Sequence, residues 1–459
     1  MARLGTAAAA LGAGALLPLA LTFDPAPAGA DFPGAKELAE AMVANATPRW
    51  TGARVPIPDA TPRPGPVVDS RFAPLRPLAV HAVDEGVPEG RLDEVLDALE
   101  TARVALDAGG WLPPPDDGGR GGRSGFDLYL VAGAPAEGRL DGMYRPSHLD
   151  RGITYAVLDP FVPRGALLAC ATMAYADALL LALDPAEALA WRRATAAWLA
   201  HRVSGQYGCL GRPVVHQQTH PGEALIDPGP PDRGAGGALL VGLLSDRLAT
   251  PDGRYLRDVW DASRQLTWQP EAGGLRAWPD LWHALEATVE PQGLRLPQLL
   301  EGFAVDRWAA GRPLRAPWPT IAGLGPEARV RAAGHYRYGG RAFEVPGPEP
   351  GLHPTGSAYL LFDVAAAPRD VPLGFWLQGE VGVDWGMTAL RLDATGRELG
   401  RMSAPIRREP RAYLPVVPDR ETRQVLVVVT NLGEGLPDAT RVDDDFLRSF
   451  RLRVGRPDG

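Results

Sequence analysis

Three groups of residues in this sequence have types and spacings that could do chemistry. His216 and His220 stand at i and i+4 in His-Gln-Gln-Thr-His. On a helix that spacing turns two imidazoles towards one metal ion, and His201 or Glu223 could supply a third ligand. Gln217 is no general base, however, and Pro213 and Pro221-Gly222 bracket the segment, which reads as a loop carrying solvated histidines. Asp116-Asp117 and Asp443-Asp444-Asp445 are candidates for extracellular Ca²⁺, but without EF-hand spacing they read as turn and solvated surface. Ser204 beside His201 lacks a Gly-x-Ser-x-Gly elbow and an oxyanion framework. The GGRGG of Gly118–Gly122 lacks the Lys-Ser/Thr of a phosphate loop, and His283 reads as a satisfied helix histidine. Cys170 and Cys209 are the only cysteines. An even pair in an exported chain is a disulfide candidate worth on the order of 3 kcal/mol, with two buried thiols as the alternative.

The elements that would carry these residues centre on two helices. Gly165–Leu183 is apolar almost all round, which predicts burial, and Glu187–Ser204 is amphipathic. Asp184-Pro185-Ala186-Glu187 reads as cap, first-turn proline and capping-box glutamate, and Gly205 as a left-handed stop. Before this pair come a helix over Arg91–Leu106 and strands over Pro77–Val83, Phe126–Val131 and Ile153–Leu158. After it, a loop to Asp232 precedes helices over Gly234–Leu248, Arg254–Gln265, Leu281–Val289 and Pro297–Ala310. From about Val330 short alternating segments predict an antiparallel sandwich or jelly roll: 335–338, 342–345, 358–364, 374–377, 389–392, 412–416, 424–430 and 450–454.

At 459 residues and 45% hydrophobic content the chain can bury a large core in about two domains. Arg3, the apolar run Ala7–Leu21 and the A-x-A pattern Ala28-Gly29-Ala30 predict a cleaved export signal over residues 1–30, with no retained membrane anchor. Residues 31–75 follow as a Pro-rich arm with a short helix candidate, Ala35–Ala46. The formal charge of −8, with a single lysine and no basic run, excludes an electrostatic footprint for nucleic acid.

The run GGWLPPPDDGGRGGRSGFDLYLV, then ITYAVLDP, then the helix pair, resembles the exported bacterial zinc metallopeptidases of gluzincin-like type, over about residues 76–310. That resemblance implies a zincin fold, with His-Glu-x-x-His on the first helix and a ligand glutamate in a Glu-Ala/Gly-Thr-Ala-x-Trp context on the second. The two histidines and the glutamate would hold zinc, and the Glu between the histidines would activate water. Here ATMAYADA places Met173 and Asp177 at the histidine positions and Ala174 at the catalytic glutamate, and RATAAW places Arg193 at the ligand glutamate. Ala194, Thr195, Ala196 and Trp198 match the rest of the second motif. A thioether, one carboxylate and a cation do not make a zinc site. Arg193 could stand where the zinc charge stood, with Asp177 as counter-ion, or point to solvent beside Arg192.

The sequence is therefore read as α+β: a mainly helical zincin-like domain with a small N-terminal sheet over 76–320, then a β-sandwich over 330–456. The expected function is that of an exported, inactive metallopeptidase-like protein, periplasmic or extracellular, which binds a protein or glycan partner or serves a structural role. Zinc belongs to the family implied and is not expected here. The alternative is an active hydrolase with a metal relocated to His216 and His220.

Overall fold

The structure is a computed structural model. It describes residues 59–143, 151–227, 229, 231–248, 254–263, 266–269, 274–277, 281–312, 318–368, 371–406, 410–435 and 446–456. The export signal, the helix candidate Ala35–Ala46 and the run Asp443–Asp445 lie outside the described residues.

The first half carries strands β1 (Asp69–Phe72) and β2 (Leu78–Ala82), helix α1 (Arg91–Ala108), and strands β3 (Phe126–Leu130), β4 (Glu137–Met143) and β5 (Gly152–Leu158). They form one mixed sheet in the order β1-β2-β3-β5-β4, in which β2, β3 and β5 are parallel and the edge strands β1 and β4 antiparallel. Alternation along each strand splits its residues between two faces. Leu78, Val80, Leu128, Leu130, Ala156 and Leu158 share a core with the helices, while His81, Asp127, Tyr129 and Tyr155 stand on the other face.

The two central helices follow as α2 (Leu167–Leu183), entered through a 3₁₀ turn, and α3 (Leu189–Ser204). Helix α2 is long and apolar enough to cross a membrane by composition alone, yet it is buried along nearly its whole length in this core. The start of α3 differs from the capping-box expectation. Its first residue is Leu189, and Asp184 closes α2 instead, accepting from the Ala186 N–H. Glu187 spends its carboxylate on the Ala188 and Leu281 amides, which ties the α2–α3 turn to a later helix. Gly205, at φ 78°, ends α3 in the left-handed region as its sequence position predicts. A disulfide joins Cys170 on α2 to Cys209 just beyond α3.

The stretch read as a loop to Asp232 contains two short helices, α4 (Pro213–Thr219) and the start of α5 (Pro231–Gly236). Helices α6 (Ala238–Arg247) and α7 (Arg254–Ser263), a hairpin of β6 (Leu266–Gln269) and β7 (Gly274–Ala277), α8 (Leu281–Val289), α9 (Leu296–Asp306) and α10 (Pro319–Ala322) complete this half.

The C-terminal strands are β8 (Gly334–Arg337), β9 (Phe343–Pro346), β10 (Ser357–Asp363), β11 (Leu373–Gly379), β12 (Trp385–Leu392), β13 (Glu398–Ser403), β14 (Arg411–Val416), β15 (Gln424–Asn431) and β16 (Phe450–Gly455). They make a five-stranded sheet, β13-β12-β15-β10-β8, and a four-stranded sheet, β14-β11-β16-β9. Leu360, Phe362 and Val427 of the first share a core with Phe375, Leu452 and Val454 of the second. The alternate residues Tyr359, Leu361, Leu390, Leu426 and Val428 pack with Ala304, Val305 and Trp308. Both faces of the larger sheet are therefore buried, which explains the unbroken apolar run Val425–Val429. The two halves are also linked by the Tyr359 hydroxyl, which donates to the Ala304 carbonyl at 2.5 Å.

Candidate functional site

The place where the resemblance puts a metal lies between α2, α3 and the edge strand β4. Met173, Ala174 and Asp177 are all buried on α2. The strand approaches so closely that a Cβ on Gly138 would fall 2.3 Å from the Ala178 Cα, so only glycine fits there. That approach delivers the Gly138 N–H to Asp177 Oδ2 at 2.8 Å. The other carboxylate oxygen faces a guanidinium, but it belongs to Arg192 rather than Arg193: Arg192 Nε lies 3.3 Å from Asp177 Oδ1. The N–H is not aligned on that oxygen, so the pair is a charge contact and not a hydrogen bond. Both side chains are over 90% buried.

Arg193 takes neither of its expected roles fully. It is partly buried and donates from Nη1 to the Gly229 carbonyl at 3.1 Å, and burial lowers its pKa although Asp177 and Glu137 oppose this. Ala196, Ala197 and Ala200 are fully buried, and these small side chains let α3 pack tightly. A cation, a thioether and a carboxylate with both oxygens engaged do not fit Zn²⁺, so no step through zinc follows from these residues.

His-Gln-Gln-Thr-His folds as the helix α4, against its reading as a loop, because Pro213 occupies the first turn, where it costs no hydrogen bond. Its buried side chains include both glutamines, beside Pro213 and Val214. Gln218 Oε1 accepts from Arg307 Nε at 2.6 Å, and the Gln217 carbonyl accepts from Arg307 Nη2 at 2.5 Å. Arg307 has no solvent exposure, and burial lowers its pKa. The outward-facing histidines stack on each other with ring centroids 4.3 Å apart, and His216 Nε2 meets Glu223 Oε2 at 2.9 Å. Glu223 also faces Arg233 at 3.5 Å. Among the described residues no group of three His, Cys, Asp or Glu side chains converges on a point fit for a metal ion.

His201 stacks flat on Tyr207 at 3.8 Å, and burial lowers its pKa. Ser204 donates to the Ala200 carbonyl at 2.7 Å, as helical serines do. The Gly-rich run curls round Asp117, whose carboxylate accepts from the amides of Gly119, Gly121 and Gly125.

A denser polar cluster escaped sequence reasoning. On the outer face of the first sheet, Ser70 and His81 are direct cross-strand partners on β1 and β2. Ser70 Oγ lies 2.8 Å from His81 Nδ1, and His81 Nε2 lies 3.0 Å from Asp127 Oδ1. With the proton on Nε2, His81 donates to Asp127 and accepts from the Ser70 hydroxyl, a chain that could relay a proton. His81 is 1% exposed, sealed between Phe72 and the stacked Tyr129 ring.

Over this face runs the N-terminal arm. The Thr61 N–H donates to the Leu140 carbonyl at 2.7 Å, and the Tyr155 hydroxyl donates to the Pro62 carbonyl at 2.9 Å. Arg63 then drops its guanidinium onto three carboxylates: Asp117 at 2.8 Å, Asp141 at 3.2 Å, and Asp127. Burial opposes ionisation of Asp117, but the Gly119 amide and Arg63 outweigh it and hold its pKa below the usual carboxylate value. Burial, helped by Asp127, raises the pKa of the Tyr129 phenol, so Tyr129 remains protonated. The only sequence signal for this cluster was the alternation PLAVHAV and FDLYLV, which puts His81, Asp127 and Tyr129 on one face. Arg63 is 64 residues from Asp127, and no spacing rule reaches that far.

Among known proteins, no family model and no curated protein matches the chain.

Proposed function

We propose that this is an exported, zincin-like relative of the metallopeptidases that has exchanged its catalytic metal for an internal charge pair, and that it serves as a binding or structural module for a protein or glycan partner. The observation that carries this reading is Asp177. At a position where the resemblance expects a zinc-binding histidine stands a carboxylate held by the Gly138 amide and the Arg192 guanidinium. The decisive test is elemental mass spectrometry of the mature protein after dialysis against trace zinc. Substoichiometric zinc is expected, whereas about one zinc per chain, lost with His216→Ala, would establish the relocated-metal hydrolase instead.

A second reading, a metal-free serine hydrolase, is favoured by the chain Ser70–His81–Asp127. Two features weigh against it. Arg63 already neutralises Asp127, which weakens the support that carboxylate can give an imidazolium, and His81 is sealed at 1% exposure, where a substrate does not reach it. A fluorophosphonate probe should leave the mature protein unlabelled. Stoichiometric labelling that disappears in Ser70→Ala would replace the pseudoenzyme reading with the hydrolase.

A further inference from the structure

A concave site of about 270 Å³ opens where the helical half meets the larger C-terminal sheet. Its walls include Glu301 and Val305 of α9, Thr388 of β12, Arg401 and Ser403 of β13, and Ile406. Small-molecule sites favour such junctions, combining an apolar wall with a few convergent polar groups. Here Val305 and Ile406 supply the apolar side and the others the polar side.

Among the described residues the charges in this site do not balance. Glu301 is 7% exposed, and no Lys, Arg or His pairs with it among the described residues. Its Oε1 accepts from the Thr388 hydroxyl at 2.7 Å, and Thr388 in turn lies 2.7 Å from Ser403 Oγ. Its Oε2 meets no donor among the described residues. Arg401 does not compensate it, being held by Asp306 at 2.8 Å and by Glu398 at 2.7 Å. Gly386 makes room for the Glu301 side chain: a Cβ there would come within 3.1 Å of the Glu301 carboxyl carbon. Burial accordingly raises the Glu301 pKa, with the Thr388 hydrogen bond opposing it. A buried carboxylate without a counter-ion is costly, and a ligand that brings a cation removes that cost.

We infer that this interdomain site binds a small primary ammonium carried on a short aliphatic chain, with the nitrogen on Glu301 Oε2 and Ser403 Oγ and the alkyl group against Val305 and Ile406. An anion would meet the Glu301 carboxylate with Arg401 already committed to Asp306 and Glu398, and a neutral polyol would leave the Glu301 charge unmatched. The inference is independent of whether the α2–α3 site ever held zinc.

Isothermal titration calorimetry of the full mature chain at mildly alkaline pH tests it. The probes are n-butylammonium for a free amine and Nα-acetyl-lysine amide for a protein side chain, with 1-butanol, butyrate and methyl glucoside for comparison. Saturable 1:1 binding is expected for one or both ammonium probes and for none of the others. The relative affinities of the two ammonium probes identify the source of the ligand. Glu301→Gln preserves an acceptor for Thr388 and should weaken ammonium binding about thirtyfold or more. Because a core substitution can disturb folding, Ser403→Leu, on an exposed strand position, should block the same binding by filling the site. Absence of ammonium binding to the wild type, equal binding of butanol or glucoside, or unchanged affinity in a folded Glu301→Gln would each overturn the inference.

Discussion

Arg63→Ala should destabilise the folded protein by about 3–5 kcal/mol at neutral pH, the range for removing one partner from a buried charge cluster. The guanidinium is 12% exposed and Asp117 and Asp127 are almost fully buried, so solvent cannot take over its role. Asp141 would keep Arg120 at 2.9 Å, and Asp117 would keep its glycine amides, but among the described residues Asp127 would retain His81 alone. The pH dependence gives a second, independent signature. In the wild type the pKa of Asp117 is lowered on folding, so its contribution is present above the unfolded carboxylate pKa, near 4, and is lost as pH falls through the lower folded value. In the variant the three carboxylates repel, and protonating any of them relieves the strain. The stability gap between the two proteins should therefore be widest at neutral pH and narrow towards pH 4, measured by urea unfolding. Arg63→Lys should fall between them, because one ammonium cannot fork to three carboxylates. A gap below about 1 kcal/mol, or one that widens in acid, would mean that the arm is not anchored by this charge.

The same residue shows where sequence reasoning stops. Helices with strong periodicity, such as Leu281–Val289, were legible to the residue, and Gly205 was legible because a left-handed stop is a local requirement. The mixed helix-and-sheet character and the Cys170–Cys209 pairing followed from composition, alternation and count. Strands β4 and β13 were missed because EGRLDGM and ELGRMS carry little apolar alternation; both are sheet edges with one strand neighbour, and the face β4 buries on α2 is made by a glycine, Gly138, and Leu140. The helix α4 was missed because its proline was taken as a breaker, when at the first turn it is a start. The capping-box reading of Asp184 and Glu187 failed for a different reason: tertiary acceptance of the Leu281 amide outcompeted the local cap. The outer-face cluster and the Glu301 site depend on contacts between residues far apart in the chain, which only the fold brings together.

Asp177→Ala should likewise destabilise by about 3–5 kcal/mol, since it strands Arg192 in the core and removes the acceptor of the Gly138 amide. The two losses can be separated. Asp177→Asn keeps an acceptor for Gly138 and loses only the charge, so its deficit reports the ion pair; the remainder, relative to Asp177→Ala, reports the amide. Arg193 offers no rescue, because it is a second cation whose charge opposes that of Arg192. The double replacement Asp177→Leu with Arg192→Met should recover most of the stability, as apolar substitutes for buried ion pairs often do, although the Gly138 amide would still lack its acceptor. These variants also bear on function. If Asp177 is a brace that has replaced a metal, Asp177→Ala lowers stability while zinc content stays at its low wild-type level. If Asp177 instead ligates a metal, the wild type holds zinc and the alanine variant loses it, with a stability loss that zinc chelation reproduces in the parent protein. The two outcomes cannot be confused, because only the second makes the wild-type unfolding midpoint sensitive to a chelator.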